Sequence, residues 1–167
     1  MTSRGVIAAA LRRIGAAKRT MYRGGRPNGL MRLWNRVDAL VYARGWVGPT
    51  STAALKVSGR RSGRAVAVPV AVTGVGGAEY LVSMLGPDAG WVRNVEAAGG
   101  NAVLRRRGHD VPVLLETVPA RDRASILRRY VAIAPGARPH LGLGPAAPLA
   151  EFARISDAHP VYRIRRR

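Results

Sequence analysis

Apolar residues recur along this chain in two periods, one typical of helices and one typical of strands. Early in the chain they recur at the spacing of one helical face, at Leu30, Leu33, Trp34, Val37, Leu40 and Val41. From Thr52 onward, short runs rich in valine and alanine are separated by turns that contain glycine. This pattern predicts six strands, over residues 52–57, 65–73, 79–84, 102–107, 110–117 and 160–165.

Further helices are expected before and between these strands. Asp88 is placed to cap a short helix over residues 91–98, and Pro119 is expected to open another. Residues 4–19 can form an amphipathic helix with basic side chains on its polar face. Residues 135–148 are rich in Pro and Gly and are predicted to form a long irregular loop.

The order of these elements indicates an α+β fold. A helix, three strands, a short helix, two strands, a helix and a last strand lack the repeated alternation of a doubly wound sheet. Six short strands lose their exposed edges when they close, so we expect a small, mainly antiparallel barrel with flanking helices. We expect one such domain over residues 29–167, preceded by a basic segment over residues 1–28.

The charge of the chain is strongly positive and unevenly distributed. Its 167 residues carry 28 basic and 9 acidic side chains, a net charge of +19. Residues 1–64 hold 14 basic residues and one acidic residue, whereas residues 65–167 hold 14 and eight. This asymmetry indicates an anionic partner, which can be a nucleic acid, a membrane surface or a polyanionic small molecule. The absence of cysteine excludes thiolate metal sites, and the three separated histidines show no metal-ligand spacing.

The sequence shows neither a membrane span nor a secretory signal. No apolar stretch is long enough to cross a bilayer, and the N-terminus lacks the length of apolar core that a signal peptide needs. We therefore expect a cytoplasmic protein. The amphipathic helix over residues 4–19 can lie on the inner face of an anionic membrane as a peripheral contact, or it can pack on its own domain.

One turn is the clearest candidate for binding chemistry. Residues 59–64 have the sequence Gly-Arg-Arg-Ser-Gly-Arg and separate the first two predicted strands. Glycine lets the backbone turn and approach a ligand closely, and arginine offers a planar fork of donors that matches phosphate oxygens. The turn is therefore a candidate anion site, with a solvent-exposed basic hairpin as the alternative.

Five short motifs follow each other in an order that resembles a known family. They are GRRSG at residues 59–63, Pro69, YLVS at 80–83, WVRN at 91–94 and GNAV at 100–103. Their order and separation resemble the deazaflavin-dependent nitroreductase family, whose members are split β-barrel flavin or deazaflavin oxidoreductases. The resemblance implies a split β-barrel of about six strands that binds coenzyme F-420, a deazaflavin with a phosphate and an oligoglutamate tail.

The resemblance also implies which residues contact the coenzyme. Arg60, Arg61 and Ser62 would bind the phosphate region, and Ser83 with the backbone of Met84 and Leu85 would lie beside the ring. Trp91 and Asn94 would stand on a short helix near the coenzyme, although Trp91 can instead belong to the core and Asn94 can instead brace a neighbouring loop. The full implied set is Lys56, Arg60, Arg61, Ser62, Gly63, Pro69, Ser83, Met84, Leu85, Trp91 and Asn94.

The implied activity is hydride transfer from the reduced deazaflavin to an electron-poor small molecule, such as an activated alkene, a quinone or a nitro compound. Because the coenzyme carries the hydride, the lack of a catalytic triad does not argue against an enzyme. The candidate proton donors are Tyr130 and His140, together with Tyr42. Where the family often has a tyrosine-rich segment, residues 133–143 contain no tyrosine.

Other functions stay open at this point. The same barrel can hold a deazaflavin or another anionic ligand without turnover, with FMN, the less expected flavin, and haem as alternative ligands. A basic protein that binds nucleic acid or a membrane surface is a further alternative. No specific nucleic-acid partner is expected, because aromatic residues do not alternate with the basic ones and no helix–turn–helix pattern occurs. A small-molecule substrate is the expected partner, and barrels of this kind often form homodimers.

Overall fold

The computed structural model describes residues 51–167 and, before them, only two pairs of residues. Tyr22–Arg23 (β1) and Arg26–Pro27 (β2) are short strands that pair with each other in antiparallel orientation. Several predictions lie outside the described residues: the helix over 4–19, the helix that begins at Leu30, the domain boundary after residue 28, and the role of Tyr42.

Six strands form a closed antiparallel barrel in the remaining part of the described chain. They are β3 (Thr52–Ser58), β4 (Ala65–Val75), β5 (Ala78–Val82), β6 (Asn101–Arg106), β7 (His109–Thr117) and β8 (Val161–Arg166). Their order around the barrel is β3-β4-β5-β8-β7-β6. The helices are α1 (Gly90–Ala97), α2 (Ala124–Ile133), α3 (Arg138–Leu141) and α4 (Leu149–Arg154). This architecture confirms the predicted α+β split barrel.

Strand alternation divides the barrel into an interior and an outer face. Leu55 of β3 and Leu81 of β5 point inward and are completely buried in an interior apolar cluster. Helix α1 contributes Val92 and Val95 to the same cluster and thereby closes one end of the barrel. We call this the upper end. Because the chain has few aromatic residues, branched aliphatic side chains fill most of the interior.

Helices cover the outer face of β4 and β5. Helix α2 packs on both strands and on α4. These two helices and two strands bury a second apolar cluster that includes Leu127, Val131 and Phe152, each of them 0% exposed. The barrel wall thus lies between two apolar layers, one inside it and one beneath the helices.

Residues 135–148 are more regular than the irregular loop that the sequence predicts. They contain a 3-10 turn, Pro135–Ala137, followed by α3. Ala137 and Leu141 are buried against the second cluster, and this tertiary burial fixes a segment that shows no helical repeat of its own. The prediction of a loop without regular structure was therefore wrong for residues 135–141 and is confirmed for residues 142–148.

Two further helical features differ from the sequence prediction: the start of α2 and the presence of α4. A 3-10 turn, Ala120–Asp122, separates Pro119 from α2. Helix α4 was not predicted, because its six residues place only Phe152 in the core and so give no apolar repeat.

The N-terminus of α1 is not capped by Asp88, as the sequence suggested. The N-cap residue is Ala89, and no side chain caps the helix. The Asp88 carboxylate instead pairs with the guanidinium of Arg93, one turn into α1. A charged, planar donor competes successfully with backbone N–H groups for the carboxylate, so the capping prediction was wrong.

An ion pair spans the barrel interior at the opposite, lower end. Glu79 lies on β5 and Arg106 on β6, strands that are not neighbours in the barrel. Strand alternation places both side chains on the inward face, in phase with Leu81 and Leu104. Arg106 Nη1 donates to Glu79 Oε1 at 2.8 Å. This contact closes the end of the barrel that α1 does not cover.

We expect Thr73→Val to stabilise the protein. Thr73 is 0% exposed on the outer face of β4, and its hydroxyl has no hydrogen-bond partner in the part of the chain that the structure describes. A buried hydroxyl without a partner costs about 1–3 kcal/mol, and valine has nearly the same shape. The melting temperature should therefore rise by about 2–12 °C. The control Thr117→Val, at an exposed position, should leave it unchanged, and a lower value for Thr73→Val would contradict this reasoning.

Candidate functional site

The turn between β3 and β4 lies at the upper end and is held by its own backbone. Gly59 N donates to Arg64 O at 2.8 Å, and Gly63 N donates to Gly59 O at 2.8 Å. Gly63 has a φ of +64°, which residues with a Cβ rarely adopt. The two glycines thus form a tight loop that exposes the side chains of residues 60–62.

Asn94 joins this turn to the helix that closes the barrel. Its Oδ1 accepts a hydrogen bond from Arg60 N at 3.3 Å and another from Arg60 Nη1 at 3.1 Å. Asn94 is only 7% exposed, so a nearly buried side chain makes the contact. Because both Arg60 groups are donors, the amide oxygen must face them. The Nδ2 group has no acceptor among the described residues and stays available as a donor.

The guanidiniums of the turn have no carboxylate partner among residues 51–167. Arg61 and Arg64 are exposed, and their side chains make no hydrogen bond or ion pair in that range. Ser62 Oγ accepts a hydrogen bond from Arg64 N at 3.4 Å. One loop thus carries several hydrogen-bond donors: three guanidiniums, the Asn94 amide and the Ser62 hydroxyl. Such a set of donors suits phosphate or carboxylate oxygens.

Trp91 lies one helical turn from Asn94 and packs against the barrel interior. Its ring meets the ring of Tyr162 edge-on, with centroids 5.7 Å apart and an interplanar angle of 62°. Tyr162 Oη donates to Glu96 Oε1 at 3.5 Å, and burial together with this carboxylate raises the pKa of Tyr162 to about 12. The aromatic pair fixes α1 on the barrel, and Trp91 therefore contributes to the core.

Ser83 is fully engaged in the turn that leads from β5 to α1. It is 1% exposed, and its Oγ donates to Gly86 O at 2.7 Å. Its N donates to Pro160 O at 2.9 Å, and its carbonyl oxygen lies 3.1 Å from His159 Nδ1. These bonds end β5 at Val82, two residues before the predicted end, and they occupy the hydroxyl proton that a ligand would otherwise meet.

Sequence reasoning missed a buried guanidinium at the upper end. Arg123 is 9% exposed, its Nε donates to Val118 O at 2.8 Å, and its Nη1 donates to Ser156 O at 2.8 Å. The same Nη1 lies 3.5 Å from His159 O. Arg123 therefore ties the start of α2 to the segment between α4 and β8. Nothing in the sequence distinguishes it from the many exposed arginines around it.

Two residues of the implied coenzyme set lie away from the turn. Lys56 faces outward from β3, and its Nζ pairs with Asp110 Oδ2 at 2.8 Å. This hydrogen bond lowers the pKa of the Asp110 carboxyl. Pro69 lies on β4 opposite Ala54. Neither Lys56 nor Pro69 shares a hydrogen bond or ion pair with the turn.

The two proton-donor candidates among the described residues lie on the helical side of the barrel. Tyr130 is 5% exposed within the second apolar cluster, and burial raises its pKa to about 12. His140 is half-buried on α3. Met84 packs against the second cluster and Leu85 against the interior cluster. The segment after Ser83 thus divides between the two layers of the fold.

Stability is expected to fall below about pH 6.5 because of His159. This side chain is 8% exposed, and burial lowers its imidazole pKa below the ordinary value of 6.5. The folded state keeps the ring neutral, whereas the unfolded chain takes up a proton below about pH 6.5. The contribution to stability is therefore complete above that pH and is lost as the pH falls, by up to about 1.4 kcal/mol per pH unit.

Thermal melts between about pH 8 and pH 5 test this expectation. His159→Asn keeps a donor near the Nδ1 position and should weaken the decline at acidic pH. The exposed His109→Asn is the matched control. An equally steep decline in His159→Asn and in the parent protein would assign the acid sensitivity to other groups.

Comparisons with known proteins give a fold but no family. No family model and no curated protein match the chain. A protein of unknown function from Agrobacterium tumefaciens is similar with a TM-score of 0.53 at 17% identity, over 78% of this chain and 54% of that one. A domain-swapped dimer has a TM-score of 0.51 at 14% identity, over 81% of this chain and 96% of its own. An F-420-H2 dependent reductase, FDR-A, has a TM-score of 0.47 at 19% identity, over 69% and 94%.

At these identities the similarity concerns the fold alone.

Two further findings concern membrane spans and metal sites in the described part of the chain. No helix in the described part is both long and apolar enough to cross a membrane. In the same part, no three His, Asp or Glu side chains are grouped so that they could hold a metal ion.

Proposed function

We propose that the protein is a reductase that binds coenzyme F-420 at the upper end of its barrel and reduces an electron-poor small molecule. The observation that carries the proposal is the contact between Asn94 and Arg60, at 3.1 Å and 3.3 Å. Two of the motifs that resemble the deazaflavin-dependent family, GRRSG and WVRN, lie about 30 residues apart in the sequence and meet through this contact. Because the two motifs lie side by side in the structure, one ligand can contact both, which supports the proposal.

The donors of the turn fit a phosphate group. Asn94 occupies Arg60 N and one Nη1 proton, so the Nε and Nη2 sides of the Arg60 fork remain free for a ligand among the described residues. Arg61 adds a second uncompensated guanidinium, and Asn94 Nδ2 adds a neutral donor. A guanidinium held in place by a buried amide loses less freedom on binding than a mobile one, which favours affinity.

The residues of the chain have positioning roles in this proposal. The bound deazaflavin would supply the hydride. Arg60 and Arg61 would hold the anionic end, and α1 would carry Asn94 to the same place because the Trp91–Tyr162 pair anchors it. We assign neither Tyr130 nor Tyr162 as a proton donor, because both phenols are buried and hold their protons to about pH 12.

Fluorescence titration with coenzyme F-420 and with FMN tests the proposal. We expect F-420 to bind more tightly, and Asn94→Leu to weaken its binding by about tenfold, because a hydrogen bond to a charged group is lost. Asn101→Leu is the matched control, since the Asn101 side chain donates to Ala98 O and does not contact the turn. Tighter binding of FMN, or an unchanged F-420 affinity in a folded Asn94→Leu variant, would contradict the proposal.

A non-catalytic deazaflavin-binding barrel is the second candidate. The burial of Tyr130 under the helices, together with the absence of tyrosine from residues 133–143, favours it. Reduced F-420 mixed with the protein and a panel of quinones, enones and nitroarenes separates the two functions. Oxidation of the coenzyme by any acceptor supports the reductase, whereas tight binding without oxidation supports the binding protein.

A further inference from the structure

Three exposed arginines that have no acidic partner within residues 51–167 lie at the lower end of the barrel, opposite the proposed coenzyme site. Arg107 lies in the hairpin between β6 and β7. Arg166 is paired with Val113 in the sheet, and Arg167 N donates to Pro112 O at 3.3 Å. Arg107 precedes Pro112 by five residues and Val113 by six, so along β7 it lies about 17–20 Å from the positions of Arg167 and Arg166, at 3.3 Å per residue. We call these three residues the lower arginine cluster.

Three ion pairs among the described residues engage the carboxylates near this end of the barrel. The pairs are Arg105–Asp110 at 3.4 Å, Arg106–Glu79 at 2.8 Å and Arg165–Glu116 at 2.9 Å. The carboxylates that the described chain places here are therefore engaged by other side chains. None of these carboxylates pairs with the lower arginine cluster.

The backbone at Arg107 is unfavourable for arginine. Its φ is +47° and that of Gly108 is +83°, and positive φ at both central residues is the pattern of a type I′ turn. Asn-Gly is the preferred sequence there, because asparagine and glycine tolerate this conformation best. Within the described residues, Arg107 is the one non-glycine residue with a positive φ. A turn chosen for stability alone would not carry a guanidinium at this position.

We propose that the lower arginine cluster binds the phosphate backbone of double-stranded nucleic acid without regard to its sequence. The arginine fork matches phosphate oxygens, and contacts with phosphate alone carry no sequence information. Within residues 51–167, no exposed aromatic side chain lies beside the cluster to stack on the bases of a single strand.

A duplex is favoured over a membrane surface for a related reason. Interfacial membrane contacts combine basic side chains with large apolar ones. The exposed large apolar residues of the described chain are Val66 and Leu149, and neither belongs to this end of the barrel. The surface is separate from residues 59–64, so the proposal goes beyond the reductase function and does not depend on it.

Fluorescence anisotropy with a random-sequence duplex of about 20 base pairs, at about 50 to 200 mM salt, tests this proposal. The triple variant Arg107→Gln, Arg166→Gln, Arg167→Gln should lose about tenfold or more in affinity at the lowest salt. The slope of log affinity against log salt should become shallower by about 3, one unit for each lost phosphate contact. Arg121→Gln, Arg128→Gln, Arg129→Gln removes the same charge from the helical side and should keep both affinity and slope.

Arg107→Asn alone provides a second, independent readout. It should raise the melting temperature, because asparagine tolerates this φ, and at the same time it should lower the affinity for DNA. An equal loss in the two triple variants, or no loss in the first, would overturn the proposal. The proposal would also be overturned if the first triple variant kept its affinity for DNA but lost its binding to phosphatidylglycerol vesicles. The F-420 titration is unaffected by any of these outcomes, because the two surfaces lie at opposite ends of the barrel.

Discussion

Replacing Gly100 by alanine is expected to destabilise the fold by about 2–5 kcal/mol, the sum of a backbone cost and an overlap in a packed region. Gly100 joins α1 to β6 with a φ of +81°, and a Cβ there would lie 2.6 Å from Leu115 O. Its N donates to Val95 O at 2.9 Å, and its O accepts from Leu115 N at 2.8 Å. The backbone therefore cannot move away without losing both bonds. Differential scanning calorimetry should show a melting temperature lower by about 5–15 °C.

Gly99→Ala separates the two causes of this effect. Gly99 also has a left-handed backbone, with a φ of +59°, but an added Cβ would find its nearest neighbour, Asn101 Nδ2, 3.9 Å away. It should therefore cost only the backbone term of about 1–2 kcal/mol. If the two variants lost the same amount of unfolding free energy, the overlap with Leu115 O would contribute nothing to the effect. Because Gly100 holds the C-terminal end of α1, its replacement should also weaken coenzyme binding through Asn94.

Arg60→Ala combined with Arg61→Ala should weaken the binding of coenzyme F-420 by more than tenfold. Each substitution removes a charge-assisted contact with the anionic end of the ligand, worth about 1.5–3 kcal/mol. Both side chains are exposed, and the backbone N–H of Arg60 still donates to Asn94 Oδ1 in the variant, so the melting temperature should change little. Titration by deazaflavin fluorescence measures the effect directly.

The matched control removes two exposed arginines from the helical side of the barrel. Arg128→Ala with Arg129→Ala lowers the net charge by the same amount but lies on α2, away from the turn. It should change the affinity by less than about twofold once salt screens the general field of the protein. An equal loss of affinity in both double variants would assign the effect to overall charge and not to the turn.

Local sequence signals were sufficient for the barrel. Valine-rich runs and glycine-bearing turns mark β3, β4 and β7 to within about two residues, because alternation and turn chemistry are short-range properties. The end of β5 was predicted two residues too late. Its true end depends on Ser83, whose bonds to Gly86 and Pro160 include a partner 77 residues away in the chain.

Long-range burial explains what the sequence did not reveal. The turn at residues 59–63 was predicted from its own residue types. Its contact with Asn94 could be expected only from the family resemblance. The buried Arg123 and His159 have no local signature, because each of them bonds to a backbone carbonyl of a distant segment, Ser156 O and Ser83 O respectively. Residues 135–141 were mistaken for part of a loop for the same reason, since the core that orders them is built by α2 and α4.

One comparison of ligands tests the central claim that the braced arginine turn holds the phosphate end of a deazaflavin. Fluorescence titration should be carried out with intact coenzyme F-420 and with the same deazaflavin lacking its phosphate and glutamate tail, on the parent protein and on the Arg60→Ala, Arg61→Ala variant. We expect the parent to bind the intact coenzyme at least about tenfold more tightly, and the variant to lose that preference. Equal affinity of the parent protein for the two ligands would contradict the claim.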